Sequence, residues 1–290
     1  MKSLFEIRNL RCSYDKHYRE GYSKVVLEIE QMCIPRGKKV FIVGESGIGK
    51  STVLETLGLM NNTIVPDKNA TFTFFTEEGE SVNLINLWRR GCDKQLSDFR
   101  LKHYSFIFQS TNLMRNFTAY ENIAFTRMLQ GYSMQECFER THNVLEDLGL
   151  GHINEKRMAQ ELSGGQQQRL AFARAVIPDF TVLFGDEPTG NLDVENAERV
   201  MRILSKKLDE DNSSSAVIVS HDMHLAIQFA DMIIKIRKER RESKIAKGEK
   251  VSYGVIDDKC VYSPTDDTRT RWSNGTEVFE NTDFEMFLRK

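Results

Sequence analysis

Residues 38–51 constrain this chain more than any other stretch. KKVFIVG (38–44) is a short apolar run rich in valine, the pattern of a strand buried on both faces of a parallel sheet. GESGIGKS (44–51) follows directly and fits G-x-x-x-x-G-K-[ST] at Gly44, Gly49, Lys50 and Ser51. A helical pattern through Val53, Leu54, Leu57 and Leu59 comes next. The order strand, glycine turn, helix has a physical reason. Glycines let backbone N–H groups form a nest around an anion, and the helix points its positive end at the same charge. Lys50 can then reach the β- and γ-phosphates of a nucleotide, and the Ser51 hydroxyl can ligate Mg²⁺. Ser46, Gly47 and Thr52 join them as nucleotide-binding candidates. Alone, the motif also reads as a flexible glycine turn; the flanking strand and helix count against that.

The rest of the chain alternates. Leu4 to Leu10 and Val25 to Ile34 are strand-like, the second stopping at the turn signal Pro35-Arg36-Gly37. Residues 71–87 read as a hairpin turning near Glu77 to Glu80, and 104–108 as a buried strand. From about 118 to 177 the pattern is helical, broken at Gly131, Gly149, Gly151 and Ser163-Gly164-Gly165. Then come strands at 181–187, 216–220 and 232–236, with helices at 194–209 and 222–230 between them. This alternation predicts an α/β domain with a largely parallel sheet. A basic run, KIRKERRESKIAKGEK (235–250), follows, then a return strand at 252–263 and an acidic tail with Trp272 and a short helix at 282–289.

Composition narrows the function classes. Forty Lys plus Arg against 42 Asp plus Glu leave a net charge of -2, so a nucleic-acid coat protein is disfavoured. No stretch approaches the roughly 18–20 apolar residues of a membrane helix, and MKSLFEIRNLRCSY is not followed by a signal-peptide core. Cys12, Cys33, Cys92, Cys137 and Cys260 are scattered without a C-x-x-C pair, which suits a reducing cytosol and argues against a disulfide framework or structural zinc.

VLFGDE (182–187) supplies the second half of a nucleotide site. Asp186, at a strand end, can hold Mg²⁺, and Glu187 can orient or deprotonate an attacking water. Adjacent acids at a strand end are also ordinary solvated turn residues, and it is residues 44–51 that tip the reading. In LSGGQQQRLAFARA (162–175), Ser163 is a good N-cap and Gly164-Gly165 expose N–H groups at a helix start.

That segment resembles the signature motif of ATP-binding cassette (ABC) proteins. The resemblance implies a P-loop NTPase (RecA-like) core with a parallel sheet, an antiparallel β subdomain and an inserted helical signature subdomain at about 110–177. It implies that two nucleotide domains pair head to tail, Ser163 and Gly165 of one capping the ATP held by the phosphate loop of the other. Gln109 resembles the Q-loop glutamine, which touches the metal region; Asn191-Leu192-Asp193 resembles the D-loop; His221 resembles the switch histidine at the γ-phosphate. His224 matches no role, and a His221/His224 metal pair lacks further ligands. Tyr14 resembles the aromatic that stacks on adenine, with Tyr18 and Tyr22 as neighbouring alternatives.

DEPTGNLD (186–193), FQSTNLMRNFTAYENIAF (108–125) and LSGGQQQR are similar to the lipoprotein-release, macrolide-efflux and cell-division branch of bacterial ABC ATPases. The resemblance implies an ATPase using ATP and Mg²⁺, a homodimer, an integral membrane permease on separate chains, no nucleic-acid partner, and peripheral association at the cytoplasmic face of the inner membrane. Residues 1–240 would form the nucleotide-binding domain and 241–290 a basic loop, return strand and unassigned tail. Two alternatives remain open: a regulatory module acting on a membrane partner without transport, and a soluble ABC ATPase of DNA repair or translation. The basic run reads either as a solvated loop or as a contact for anionic headgroups or the permease. NNTIVPDKNATFTFF (61–75) and the tail after about 263 depart from the family pattern.

Overall fold

The computed structural model describes residues 2–15, 24–90, 92–210, 213–242 and 250–289, so Tyr18 and Tyr22 lie outside the described residues. In chain order the strands are β1 (Ser3–Cys12), β2 (Leu27–Pro35), β3 (Lys39–Val43), β4 (Thr71–Phe75), β5 (Ser81–Asn83), β6 (Tyr104–Ile107), β7 (Val182–Asp186), β8 (Ser215–Val219), β9 (Met232–Lys235), β10 (Arg237–Glu242), β11 (Lys250–Ile256), β12 (Val261–Pro264), β13 (Arg271–Ser273) and β14 (Val278–Glu280). The helices are α1 (Lys50–Leu57), α2 (Leu84–Arg90), α3 (Asp93–His103), α4 (Ala119–Leu129), α5 (Met134–Asp147), α6 (Gly164–Val176), α7 (Val194–Glu210), α8 (Met223–Phe229) and α9 (Asn281–Arg289). They gather into two compact units, Met1–Leu96 with Val219–Lys290, and Ser97–Ile218.

The first unit holds a mainly antiparallel sheet in the order β10-β11-β2-β1-β4-β5. Leu4, Phe5, Ile7, Leu10 and Cys12 of β1 are fully buried, and Phe5 packs on Phe72 and Phe74 of β4 at centroid distances of 6.0 and 5.3 Å. The hairpin expected over 71–87 ends at Asn83. The Asn83 side chain accepts from the Asn86 N–H at 2.9 Å, a cap that turns the chain into α2, with Leu84 and Ile85 buried. In the same unit β3, buried along its whole length, pairs in parallel with β9 (Phe41 opposite Ile233) and enters the glycine loop before α1.

The end of the chain belongs to this unit. β12 adds antiparallel to β9, with Tyr262 opposite Ile233, and β13 and β14 extend the ladder. Trp272, fully buried, stacks on Phe284 of α9 at 5.4 Å and 16°, and Tyr262 and Phe287 complete an aromatic core. The basic run starts as a strand: β10 pairs antiparallel with β11, which runs parallel to β2. Its unbroken charge suits an edge strand, where lysine and arginine discourage further pairing. The return strand expected at 252–263 is broken by a turn at Asp258–Cys260, which the Asp257 carboxylate caps.

In the second unit β6 and β7 pair in parallel, Ile107 opposite Gly185, with β8 beside β7. Helices α4, α5 and α6 each open on a reciprocal cap: Thr118 with Glu121, Ser133 with Glu136, Ser163 with Gln166. Among the described residues no helix is long and apolar enough to cross a membrane.

Candidate functional site

The candidate residues fall in both units. In the first, Lys50 is nearly buried and donates from Nζ to the carbonyls of Gly44 and Glu45, at 2.9 Å each, folding its charge into the loop. Gly47 and Gly49 have φ of 74° and 108°, where a side chain is strained. A Cβ at Gly49 would lie 3.4 Å from the Val26 carbonyl oxygen, against the neighbouring strand, whereas one at Gly47 would meet nothing within 4 Å. The loop is therefore packed on one side and open on the other, as an anion cradle requires. The first turn of α1 carries no acidic residue, so its positive end is uncompensated there. Ser46 and Ser51 are exposed beside it and Thr52 is buried.

Tyr14 is tied to the same helix. Its phenol donates to Glu55 Oε2 at 2.7 Å and lies 3.1 Å from Thr52 Oγ1, while 52% of the residue remains exposed. Burial, with Glu55 adding to it, pushes the phenol up to about 12, so it stays protonated. The held ring leaves apolar surface for a flat base. The Ser220 N–H bonds the Ile42 carbonyl at 3.3 Å, which draws the chain just before His221 alongside β3; His221 itself is exposed. The Asp222 side chain caps α8, and among the described residues no cluster of His, Cys, Asp and Glu could hold a metal by itself.

The second unit carries the acids. Asp186 ends β7, and Glu187 follows with φ 49°, a left-handed conformation that costs a non-glycine residue about 1 kcal/mol or more. Such strain persists only where the surroundings impose it. Here the Gly190 N–H bonds the Glu187 carbonyl at 3.1 Å, and Gln109 Nε2 donates to Glu187 Oε2 at 3.4 Å. The structure thus brings Gln109 to Glu187, 78 residues apart in sequence.

Ser163 caps α6, accepting from the Gln166 N–H at 3.4 Å. Added Cβ atoms at Gly164 and Gly165 would meet nothing within 4 Å, so their backbone faces open space. The Asp193 carboxylate caps α7 through the Asn196 N–H at 2.8 Å, and that bond, with the Asn196 amide, holds it below the usual carboxylate range.

Three supporting side chains escaped the sequence reading. Arg174 grips the carbonyls of Thr111 and Asn112 at 2.8 and 2.7 Å, fixing the loop after Gln109. Buried Gln168 donates to the Pro188 carbonyl at 3.2 Å, bracing the turn after Glu187. Glu55 anchors Tyr14. The first two lie in the signature run, where helical phase was the available signal; nothing local marks Glu55.

A glycine cradle at a helix start, after a buried parallel strand, and an aspartate–glutamate pair ending another parallel strand define a P-loop nucleoside triphosphatase. Residues 27–190 match the family model described as ABC transporter. The lipoprotein-releasing system ATP-binding protein LolD of Aquifex aeolicus is 38% identical over 217 residues, 75% of this chain and 89% of that protein. The macrolide export ATP-binding/permease protein MacB of Aggregatibacter actinomycetemcomitans is 36% identical over 237 residues, and this chain spans 33% of its length. Among solved structures, the dimeric bacterial ABC transporter cassette MJ0796 is 28% identical at a TM-score of 0.65, covering 80% of this chain and 94% of that one. Its post-hydrolysis state bound to ADP and Pi matches at 27% identity and a TM-score of 0.64. The chain belongs to the ABC transporter family, and it is an ATPase of that family.

Proposed function

We propose that this chain is the ATP-hydrolysing subunit of a membrane transporter of the lipoprotein-release or macrolide-efflux type, with a permease on separate chains. Two copies close head to tail on two ATP molecules and reopen after hydrolysis, associating peripherally with the cytoplasmic face of the inner membrane. The LolD and MacB relatives support the transporter class, and the dimeric cassette supports the pairing.

The observation that carries the chemistry is Glu187, held left-handed with its carboxylate against Gln109. In this reading Glu187 accepts a proton from the attacking water and Gln109 reports nucleotide state to the loop that Arg174 holds. Lys50 binds the β- and γ-phosphates, His221 contacts the γ-phosphate, and Tyr14 stacks on adenine. Ser163 and Gly165 cap the partner's nucleotide, and Asp193 lines the shared interface. Ser51, Asp186 and Gln109 each offer a side-chain oxygen of the kind Mg²⁺ takes and would be the residues to hold it, and the ion would neutralise phosphate charge. The 109–125 segment would receive short cytoplasmic helices of the permease. Dimer closure does work because ATP binds the closed state more tightly than the open one.

The test is Glu187→Gln: ATP binding is kept, the ATP-bound dimer accumulates on size exclusion, and turnover is lost. Normal hydrolysis by this variant overturns the general-base role. Lys50→Ala should weaken nucleotide binding, and unchanged affinity would refute the phosphate-loop assignment.

A further inference from the structure

Beside the phosphate loop, wholly within the first unit, lies a cavity of about 730 Å³, within the size range of small-molecule sites. Its wall is built by Glu45, the β9–β10 junction, the Asp258–Cys260 turn, the β13–β14 turn and α9. Most of this wall comes from the chain after residue 190, beyond the segment that the family model matches.

The lining is cationic. Among the described residues Lys235, Arg237, Lys238 and Lys259 line it with two acids, Glu45 and Glu277, and Arg237 is also paired with Glu239 at 3.2 Å. Lys238 pairs with Glu45 at 2.6 Å and, with Lys235 and Arg240 adding to it, holds that carboxyl below its usual range. Arg237 pairs with Asp257 at 2.6 Å. The exposed Lys259 ammonium has no ion pair or side-chain hydrogen bond among the described residues. Phe287 supplies an apolar wall, stacked at 4.8 Å on Phe279 and carrying Lys235 Nζ 3.8 Å above its ring. Asn274 is fixed by bonds to the Lys259 carbonyl at 3.0 Å and the Thr276 hydroxyl at 2.9 Å. A lysine ammonium without an ion pair among the described residues, an aromatic wall and fixed amide and hydroxyl groups suit one ligand chemistry.

We propose that this cavity binds a small organic anion, a carboxylate or phosphate monoester attached to an apolar group, with Lys259 taking the charge and the edge of the Phe287 ring, whose faces meet Phe279 and Lys235, taking the apolar part. The site is distinct from the nucleotide cradle and does not depend on the transport reading.

The experiment is a calorimetric titration of the full chain with phenyl phosphate and, separately, with benzoate, after saturation with Mg·ADP whose own affinity is measured first. At least one probe should bind saturably at one site per chain. Lys259→Glu should weaken that binding about tenfold or more, the effect of one charge-assisted bond. The comparison of probes tells carboxylate from phosphate. Inorganic phosphate should bind at least about tenfold more weakly than phenyl phosphate. The proposal is overturned if neither probe saturates, if ADP competes with the probe, if inorganic phosphate binds equally well, or if Lys259→Glu and Phe287→Ala both leave affinity unchanged. Lys259 is exposed, so its variant should fold; an unchanged circular dichroism spectrum and ADP affinity check this.

Discussion

Replacing Trp272 by alanine tests whether the end of the chain is a working part of the nucleotide-binding unit. Trp272 is fully buried and stacked on Phe284. A tryptophan buries about 150–250 Å², and truncating one to alanine costs about 3–5 kcal/mol. One feature reduces this. Among the described residues the buried indole Nε1 has no hydrogen-bond partner, a penalty of about 1–3 kcal/mol that the substitution removes. The net expectation is a loss of about 2 kcal/mol, a sizeable fraction of a typical 5–15 kcal/mol stability. Trp272→Phe keeps a ring against Phe284 and removes the unpaired N–H, so it should fall within about 1 kcal/mol of the parent. The assay is urea unfolding followed by far-UV circular dichroism, with ADP affinity measured in parallel. β12 pairs with β9 and β9 with β3, the strand that enters the phosphate loop, so the alanine variant should also lose nucleotide affinity in mild urea before the parent does. A cost below about 1 kcal/mol for Trp272→Ala would refute the reasoning.

Other substitutions probe the site itself. Ser163→Ala removes the cap of α6 and should cost about 1 kcal/mol; dimer-dependent ATP turnover should fall while ADP affinity of the isolated chain is retained, and unchanged turnover would count against the capping role. Tyr14→Phe loses the bonds to Glu55 and Thr52 but keeps the ring, so nucleotide affinity should drop less than in Tyr14→Ala; equal losses in fluorescent-ATP titrations would rule out stacking. Asp193 titrates below its reference value of 3.8 because Asn196 hydrogen-bonds its charged form. A depressed folded pKa means its stabilisation is present above 3.8 and lost as pH falls below that value through the folded pKa, so Asp193→Ala should flatten the acid limb of the pH–stability curve. An identical acid limb in the variant would show that the cap contributes nothing.

The local part of this molecule was legible in sequence because its physics is local. Strand β3, the glycine loop and α1 follow from an apolar run, three glycines and a helical period in immediate succession. The cap at Ser163 likewise involves residues three apart; those at Thr118 and Ser133 share that spacing but were not read from the sequence. The basic run was legible as composition only, because charge alone does not show that Arg237–Glu242 is an edge strand; its pairing with β11 does. The break at Asn83 was missed because an asparagine cap inside an alternating pattern looks like one more turn residue.

By itself, then, the chain's order of residues determined the glycine turn before α1, the acidic pair at the end of β7, the helix start at Ser163 and the family, since each is a short motif whose spacing carries its local structure. Only the tertiary structure decided that Gln109 reaches Glu187, that Arg174 and Gln168 brace their loops, that Glu55 holds Tyr14, and that the tail completes a core around Trp272. Most of these pairings join residues dozens of positions apart, where hydrophobic burial and unmet hydrogen-bonding groups select the partner and no local pattern encodes it.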